Sequence, residues 1–394
     1  MDRVKSSIIQ LVNKSLNNNK IQNLDLSEDE WGLLFNEAVS HQIHLLIFNN
    51  AVKCHDIPKE LHDKWLNIYR LSVIRSICIL SILPGLFEKF NENKLSVMLL
   101  KGPYLRDLYP EPDTRIMGDI DLFVDKMQLN ETVNVINSFG YIMVEDDPTD
   151  MHYKFIHKKY IPIELHYSLV RASNFEYAEE LNKTIWDGAN KYSYENTYIF
   201  VPSDVNMAIY VCFHMANHYK YTGGGFGIRQ LCDLVLLLNK KFDEEKWKLF
   251  IEKINELGLG DFATGLLAVC KKYLYLVVPD SILQILDMNN ELIDTFFDII
   301  YKSGLFGASS SINSANKALA QYSKDGSVIS YFFPPREKLS DAYSYARKNK
   351  FLLPVAWIHR LINNVFRRDI SLSNKMPKRD IIDKYSQLSE WLKI

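Results

Sequence analysis

Two acidic residues separated by a single isoleucine, Asp119 and Asp121, lie in an apolar segment that is typical of a β-strand. Alternation along a strand places both carboxylates on one face and the apolar side chains on the other. The two neighbouring carboxylates repel each other, and packing does not require them. A divalent cation removes this repulsion, because Mg²⁺ binds carboxylate oxygens together with substrate phosphates. The pattern therefore predicts a metal site suited to phosphoryl or nucleotidyl transfer.

A third acidic residue, Glu164, lies in a second strand-like segment, residues 159–167. Apolar and polar residues alternate there, so that Glu164 and His166 share the face opposite to the apolar side chains. We predict that Glu164 completes the metal site with the two aspartates. Two interpretations of His166 are open, a group beside the metal and a histidine with a structural hydrogen bond. The alternative for all three acids is an ordinary solvated surface.

The turn that precedes the two aspartates supplies a further signal. Residues 97–100 are an apolar run of strand length that stops at Lys101-Gly102, and a short helix can begin at Pro103 because proline is tolerated in a first turn. This order of strand, glycine turn, short helix and Asp-x-Asp strand resembles the nucleotidyltransferase superfold of the DNA polymerase β type. That superfold usually has Gly-Ser or Gly-Gly at the turn. Phosphate binding here would therefore depend on backbone N–H groups and on Lys101.

A narrower resemblance is to a bacterial family of uncharacterised nucleotidyltransferases. It covers roughly residues 30–365, with specific motifs only between residues 97 and 167. The motifs are Leu-Leu-Lys-Gly at 99–102, Tyr109-Pro110, Arg115, and Ile-Glu-Leu-His at 163–166.

The resemblance implies transfer of a nucleoside monophosphate from an NTP, ATP by default, with release of pyrophosphate. The aspartates would bind two ions of Mg²⁺ or Mn²⁺ about 3.5–4 Å apart, and Glu164 would orient or deprotonate the attacking hydroxyl. Loss of one ligand is expected to abolish transfer without unfolding the chain. For Asp121→Asn, relieved repulsion is expected to keep or raise thermal stability. The predicted catalytic and metal-binding residues are Asp119, Asp121 and Glu164, and the predicted nucleotide-binding residues are Lys101, Gly102, Arg115, His166, Arg229 and Asp233.

Several of the predicted nucleotide contacts have structural alternatives. Lys101 either binds a phosphate or shields the two aspartates. Arg115 either contacts a phosphate or pairs with Asp113. Arg229 and Asp233 lie one helical turn apart. The arginine either reaches a phosphate in the cleft or forms a surface ion pair worth about 0.2–0.5 kcal/mol.

Other candidate motifs carry weaker signals. His214 and His218 have the i, i+4 spacing that can hold zinc on a helix, but they lack the glutamate of a zincin motif, which favours a helix-face pair or a substrate contact. The glycine-rich run at 223–227 follows no strand, so a Walker or Rossmann loop is not predicted.

The five cysteines are scattered and form no Cys-x-x-Cys pair. They argue against a zinc or disulfide framework and favour a reducing cytoplasm.

The composition of the chain restricts the classes of partner that it is expected to bind. The chain has 394 residues, 47% of them hydrophobic, and a net charge of −2. A nearly neutral chain has no general affinity for nucleic acid or anionic membranes, so the predicted acceptor is a small molecule, a sugar or a peptide. The apolar stretch at 71–87 contains Arg75 and Pro84 and is not expected to span a bilayer. One basic cluster is predicted to be a solvated tail rather than an RNA site: Arg360, Arg367, Arg368, Lys375, Lys378 and Arg379.

The periodicity predicts an α+β protein in three parts. Residues 1–94 form a helical N-terminal region, 95–202 a nucleotidyltransferase core with a small mixed sheet, and 203–394 a mainly helical C-terminal lobe that forms the other wall of the cleft. Strands are predicted at 96–100, 119–124, 141–145, 152–157 and 160–167. Helices are predicted at 61–91 with a break near Pro84, and at 129–139, 205–218, 226–238, 244–257, 262–275 and 281–301, and a loop is predicted at 304–330.

Two functions from other classes remain open. A toxin-like nucleotidyltransferase that acts on tRNA requires the basic cluster to line the cleft. A catalytically silent nucleotide-binding or scaffold protein requires the carboxylates to lie too far apart to share a metal ion.

Overall fold

The computed structural model describes residues 2–145 except 20 and 22, 151–170, 175–220, 225–304, 339, 343, 345, 346, 349–366 and 379–393. Within these residues the α-helices are α1 Arg3–Leu16, α2 Glu28–Ser40, α3 His44–Ala51, α4 Lys59–Leu80, α5 Leu83–Glu92, α6 Pro103–Arg106, α7 Leu129–Ser138, α8 Ala178–Thr184, α9 Asp204–Lys220, α10 Ile228–Lys241, α11 Glu244–Glu256, α12 Gly260–Tyr273, α13 Asp280–Leu283, α14 Asn290–Ser303, α15 Leu353–Phe366 and α16 Arg379–Leu392. The strands are β1 Val97–Leu99, β2 Ile120–Val124, β3 Ile142–Glu145, β4 His152–Ile156, β5 Ile163–His166, β6 Asn190–Tyr194 and β7 Thr197–Val201.

The strands of the described residues form one mixed sheet in the order β3-β4-β5-β2-β1-β7-β6. Strand β1 runs antiparallel to β2 and parallel to β7, and β2 runs parallel to β5. The pairs β3–β4, β4–β5 and β6–β7 are antiparallel. The centre of the sheet is therefore made by β5, β2 and β1, which are the strands that carry the candidate site.

The two faces of the sheet are buried against different layers. On one face, Ile120, Leu122 and Val124 of β2 belong to a core with side chains of α5 and α7. On the other face, Met98 and Phe123 belong to the large core of the N-terminal helices α1 to α3 and the C-terminal helices α9 to α14. Alternation along β2 and β5 places the candidate polar residues on this second face, beneath the helical lobe.

Local signals explain where key elements begin. The hydroxyl of Ser27 accepts the backbone N–H of Glu30, whose carboxylate accepts the backbone N–H of Ser27, so a capping box starts α2. The helical run predicted at 61–91 breaks between α4 and α5. Pro84 lies in the first turn of α5, where its missing N–H donor is not needed.

The predicted α+β class is confirmed, because a mixed sheet is flanked by helical regions. All five predicted strands occur, with slightly different bounds, whereas β6 and β7 were not predicted. They form the edge hairpin of the sheet, and β6 is largely exposed, so its residues lack a clear apolar alternation. The helix predicted at 281–301 is instead α13 and α14, because Asn289 caps a new helix start.

The three predicted domain boundaries stay a prediction. The predicted loop at 304–330, apart from Gly304, lies outside the described residues, as do residues 223 and 224 of the glycine-rich run and the side chains of the basic cluster at 360–379.

The stretch Lys59–Glu92 has the length and composition of a membrane-crossing helix, with a mean hydropathy of 1.7 over an 18-residue window. Only 22% of this window is buried, and Leu71 and Ile77 are more than half exposed. One such helix is weak evidence, since core helices of soluble proteins meet the same criteria. The expectation that the stretch does not span a bilayer stays a prediction.

Gly102 is predicted to tolerate no side chain. Its φ of 66° and ψ of −124° are accessible at low cost only to glycine, and a Cβ would lie 3.3 Å from Ile120 Cδ1. Gly102→Ala should lower the free energy of unfolding, measured by urea denaturation, by about 1–3 kcal/mol. Gly118→Ala is the matched control, because no described atom lies within 4 Å of its Cβ position. Equal losses in the two variants would contradict the strain argument.

Candidate active site

The register of the central strands brings Asp121 next to Glu164. In the parallel pair β2–β5, Asp121 lies opposite Glu164 and Phe123 lies opposite His166. Directly paired residues of neighbouring strands point to the same face of a sheet. Asp121 is buried, with 2% exposure, whereas the Glu164 side chain keeps 20% of its surface in contact with solvent. The fold therefore brings two of the three predicted metal ligands together at the entrance to a buried site.

Asp121 is held by Lys101 and His166. Lys101 Nζ lies 3.0 Å from Asp121 Oδ2, and His166 Nε2 lies 3.2 Å from Asp121 Oδ1. Burial by itself would raise the pKa of Asp121, but Lys101 and then His166 outweigh it and hold this pKa well below its usual range. The sequence left two interpretations of Lys101, binding a phosphate or shielding the aspartates, and in the structure it contacts Asp121 and shields the aspartates. Binding of Lys101 to a phosphate stays a prediction.

The pKa values of Asp119 and Glu164 are shifted upward, in the direction opposite to that of Asp121. Burial, and then the charge of Asp121, raise the pKa of Asp119. The same two causes raise the pKa of Glu164 to about 7. The ammonium of Lys101 therefore does not neutralise all three carboxylates. Clustered carboxylate oxygens with excess negative charge are the donor set that Mg²⁺ or Mn²⁺ binds, so the residues present fit a divalent metal ion.

Helix α9 covers this face of the sheet with Tyr210, His214 and His218, which lie one turn apart. Lys101 Nζ donates to His214 Nε2 at 3.1 Å. Burial and then Lys101 lower the pKa of His214 well below its ordinary value, and they lower the pKa of His218 to about 4. Both imidazoles are thus neutral near pH 7. The two rings pack edge to face, 4.5 Å apart, in keeping with the helix-face pair that their spacing favours.

A second buried network ties the loop before β2 to helix α10. Arg115 donates from Nε and Nη2 to the two carboxylate oxygens of Asp233, at 2.7 and 2.9 Å. It also donates from Nη1 to the carbonyl oxygen of Gly102 at 3.3 Å. The hydroxyl of Tyr109 donates to the same aspartate at 2.7 Å. These contacts occupy three of the five N–H donors of Arg115. They attach the Lys101-Gly102 turn to α10 and leave Arg115 and Asp233 few groups for a nucleotide.

Two of the structural alternatives are wrong. Arg115 does not pair with Asp113, because Arg106 binds Asp113 and also donates to the carbonyl oxygen of Pro112 in the turn beside it. Arg229 and Asp233 do not form a surface pair, because the Asp233 side chain is 4% exposed. Their closest charged atoms are 3.6 Å apart, which is longer than a hydrogen bond.

Arg229 is the cation of this network that acts on the acids. Its positive charge lowers the pKa of Asp119, against the larger effect of burial. Burial and then repulsion by Arg115 lower the pKa of Arg229 itself. Among the described residues, its buried Nε has no hydrogen-bond partner. A guanidinium with unused donors near the carboxylates is suited to bind an anion such as a phosphate.

Sequence reasoning missed His152 and Tyr210. His152 on β4 lies directly opposite His166, and its Nε2 atom lies 3.8 Å from Glu164 Oε2. Finding it requires the register of β4 against β5, which the alternation of either strand does not show. The pKa of Tyr210 is raised by burial and by the charges of all three acids, which places its phenol near them. Its spacing of one turn from His214 is a signal that could have found it.

Comparison with known proteins gives one family. The family model described as "Uncharacterised nucleotidyltransferase" matches residues 27–275, more than half of the chain. No curated protein matches. A solved structure, that of an antigenic nucleotidyltransferase-like protein from Paracoccidioides brasiliensis, is similar with 11% identity and a TM-score of 0.31, over 52% of this chain and 95% of that one. The family match includes every residue of the site described above.

Loss of Asp233 should destabilise the fold in the absence of any nucleotide. Asp233→Leu leaves Arg115 buried without its partner and should cost about 3–5 kcal/mol of unfolding free energy. The double variant Arg115→Met/Asp233→Leu should recover part of this loss, because the Arg115 guanidinium is removed together with its partner, while Arg229 stays charged. Urea denaturation of the single and double variants measures both effects.

The matched control for this pair is Asp113→Ala, which breaks the more exposed pair with Arg106 and should cost less than about 1 kcal/mol. If Asp233→Leu proves as mild as Asp113→Ala, the network does not hold the turn and α10 together.

Proposed function

The chain belongs to the uncharacterised nucleotidyltransferase family, and from this premise we propose that it transfers a nucleoside monophosphate from an NTP to a hydroxyl or phosphate group of an acceptor, with release of pyrophosphate. ATP is the proposed default donor. Asp119, Asp121 and Glu164 would bind Mg²⁺ or Mn²⁺. The observation that carries this proposal is the close pairing of Asp121 with Glu164 on one face of the sheet, with Asp119 near enough to be repelled by both.

In the proposed reaction the acceptor oxygen forms a bond to the α-phosphorus, and the bond from this phosphorus to pyrophosphate breaks. Bound metal ions would stabilise the entering and the leaving oxygens. Glu164 is suited to orient the acceptor, because it lies directly opposite Asp121 and keeps 20% of its side chain exposed to solvent. Arg229 would donate to phosphate oxygens. Lys101 could do the same once a cation replaces it beside Asp121.

The proximity of the acids favours an enzyme over a silent nucleotide-binding or scaffold protein. That alternative requires carboxylates too far apart to share a metal ion, whereas Asp121 and Glu164 lie directly opposite each other on adjacent strands.

We propose a small-molecule, sugar or peptide acceptor. Within the described part of the site, Lys101 is bound by Asp121 and Arg115 by Asp233, and the Arg229 side chain is 16% exposed. Nucleic-acid affinity depends on many exposed phosphate contacts, which these cations do not provide. The proposed compartment is a reducing cytoplasm, because the five cysteines are free thiols.

Replacement of either aspartate should abolish transfer, but with different effects on the fold. Asp119→Asn should keep or raise thermal stability, because the site disfavours the charge of Asp119. Asp121→Asn should lower stability by about 1.5–3 kcal/mol, since Lys101 loses a buried charged partner. This prediction differs from the one drawn from the sequence, because at Asp121 the charge of Lys101 outweighs repulsion among the acids. Transfer is measured by incubating each variant with labelled NTP, Mg²⁺ and acceptor fractions. Stability is measured by thermal melting.

The control for both variants is Glu131→Gln, an exposed change on α7 at the opposite face of the sheet, which should leave activity and stability near those of the wild-type protein. Transfer that persists at the wild-type rate in Asp119→Asn would contradict the proposed metal site.

Bulk tRNA should bind only weakly at physiological salt. The test is a binding titration that compares the wild-type protein with a variant in which four basic residues become alanine: Arg367, Arg368, Lys378 and Arg379. Affinity in the micromolar range or tighter that is lost in the variant would favour the tRNA-directed alternative, because phosphate contacts by such a cluster dominate nucleic-acid binding.

A further inference from the structure

Two imidazoles and one carboxylate lie together at the edge of the site: His152, Glu164 and His166. The Nε2 atoms of both histidines lie 3.8 Å from Glu164 Oε2, and the candidate ligand atoms all lie within 4.8 Å of one another. Donor atoms that each lie about 2.0–2.2 Å from one ion are at most about 4.4 Å apart. The cluster therefore needs only small side-chain rotations to hold an ion.

The sheet positions these three side chains. In the antiparallel pair β4–β5, His152 lies directly opposite His166, and Glu164 precedes His166 by two residues, on the same face. His166 Nε2 also lies 3.2 Å from Asp121 Oδ1, so that a further oxygen donor borders the cluster. The side chains of His152 and Glu164 keep 17% and 20% of their surface exposed. An ion could therefore reach the cluster from solvent.

We propose that His152, Glu164 and His166 bind a divalent transition-metal ion of the class of Mn²⁺, Co²⁺ and Zn²⁺. Imidazole nitrogen suits transition metals, whereas Mg²⁺ prefers carboxylate, carbonyl and water oxygens. The three carboxylates alone would favour Mg²⁺ or Mn²⁺ without distinguishing them. The two histidines add nitrogen donors on the Glu164 side of the site. These donors favour an ion that binds nitrogen well over Mg²⁺.

This inference rests on the proposed function only for its catalytic consequence, namely that the ion shares Glu164 with the transfer reaction. Binding of the ion can be measured without turnover.

The test is a titration of the full-length protein with Co²⁺ after removal of metals by a chelator. Co²⁺ bound to imidazoles in a site with fewer than six ligands absorbs visible light more strongly than Co²⁺ in a six-coordinate all-oxygen site. We expect these bands in the wild-type protein, their loss when Zn²⁺ is added, and their persistence in excess Mg²⁺. Displacement by Mg²⁺ as readily as by Zn²⁺ would overturn the inference.

Variants assign the ligands. His152→Gln and His166→Gln should each weaken Co²⁺ binding at least about tenfold, because even outer-shell changes at metal sites cost about 10–100-fold. The matched control is His157→Gln, which removes a histidine from the same sheet whose Nδ1 accepts backbone N–H groups of Lys159 and Tyr160. His157 lies just after the last residue of β4 and outside the proposed cluster, so this control should bind Co²⁺ as the wild-type protein does. Unchanged binding in both test variants would overturn the inference.

A measurement on the wild-type protein covers the case in which a variant unfolds. Electron spin-echo spectroscopy of the Mn²⁺ complex detects imidazole nitrogens bound to the ion, and spectra without nitrogen coupling would overturn the inference. The two proposals fail separately. Nitrogen ligands without NTP transfer would refute the transferase proposal alone, and transfer with Mg²⁺ by a protein that shows no nitrogen ligands would refute the transition-metal site alone.

Discussion

Repulsion among three carboxylates, those of Asp121 and Glu164 on one face of the sheet and that of Asp119 just before β2, is the constraint to which the surrounding side chains respond. Asp121 is the most buried of the three, and it stays charged because Lys101 and His166 contact its two oxygens. No such pairing compensates Asp119 or Glu164 fully, and the pKa of each is raised. A low-dielectric site strengthens every one of these interactions. The same excess negative charge that destabilises the folded chain would be neutralised by the divalent cation that we propose.

The polar contacts that control this charge also join the sheet to helices α9 and α10. Lys101 follows β1 of the sheet, and it donates to His214 on helix α9 as well as to Asp121. Arg115, in the loop before β2, binds Asp233 on helix α10 and the carbonyl oxygen of Gly102. The first contact runs from the Lys101-Gly102 turn to α9, and the second runs from the loop before β2 to α10. Lys101 therefore connects the charged group of Asp121 directly to helix α9.

The roles of the cations differ because of what each one contacts. Arg115 has its donors occupied by Asp233 and Gly102, so its main effect is to position the turn and α10. Arg229 Nε has no hydrogen-bond partner among the residues that the structure describes, and its charge influences Asp119, so Arg229 is the guanidinium suited to a phosphate. Lys101 lies between these cases, since its partner Asp121 is itself a predicted metal ligand. The sequence predicts that all three cations contact the nucleotide, whereas their contacts in the structure give each one a different role.

The sequence alone determined which residues share a face. Alternation placed Glu164 with His166, because side-chain direction in a strand depends only on the local backbone. It also predicted a common face for Asp119 and Asp121, but Asp119 lies just before the first residue of β2. The sequence also determined five of the strands and the α+β class, although the exposed edge hairpin β6–β7 has too little apolar alternation to be found in this way. Only the tertiary structure decided which strands are neighbours and which charges meet. Arg115 and Asp233 are 118 positions apart, Lys101 and His214 are 113 apart, and His152 reaches Glu164 only through the register of β4 on β5. Such contacts depend on how distant segments pack, and no local pattern encodes the partner that a buried charge will find.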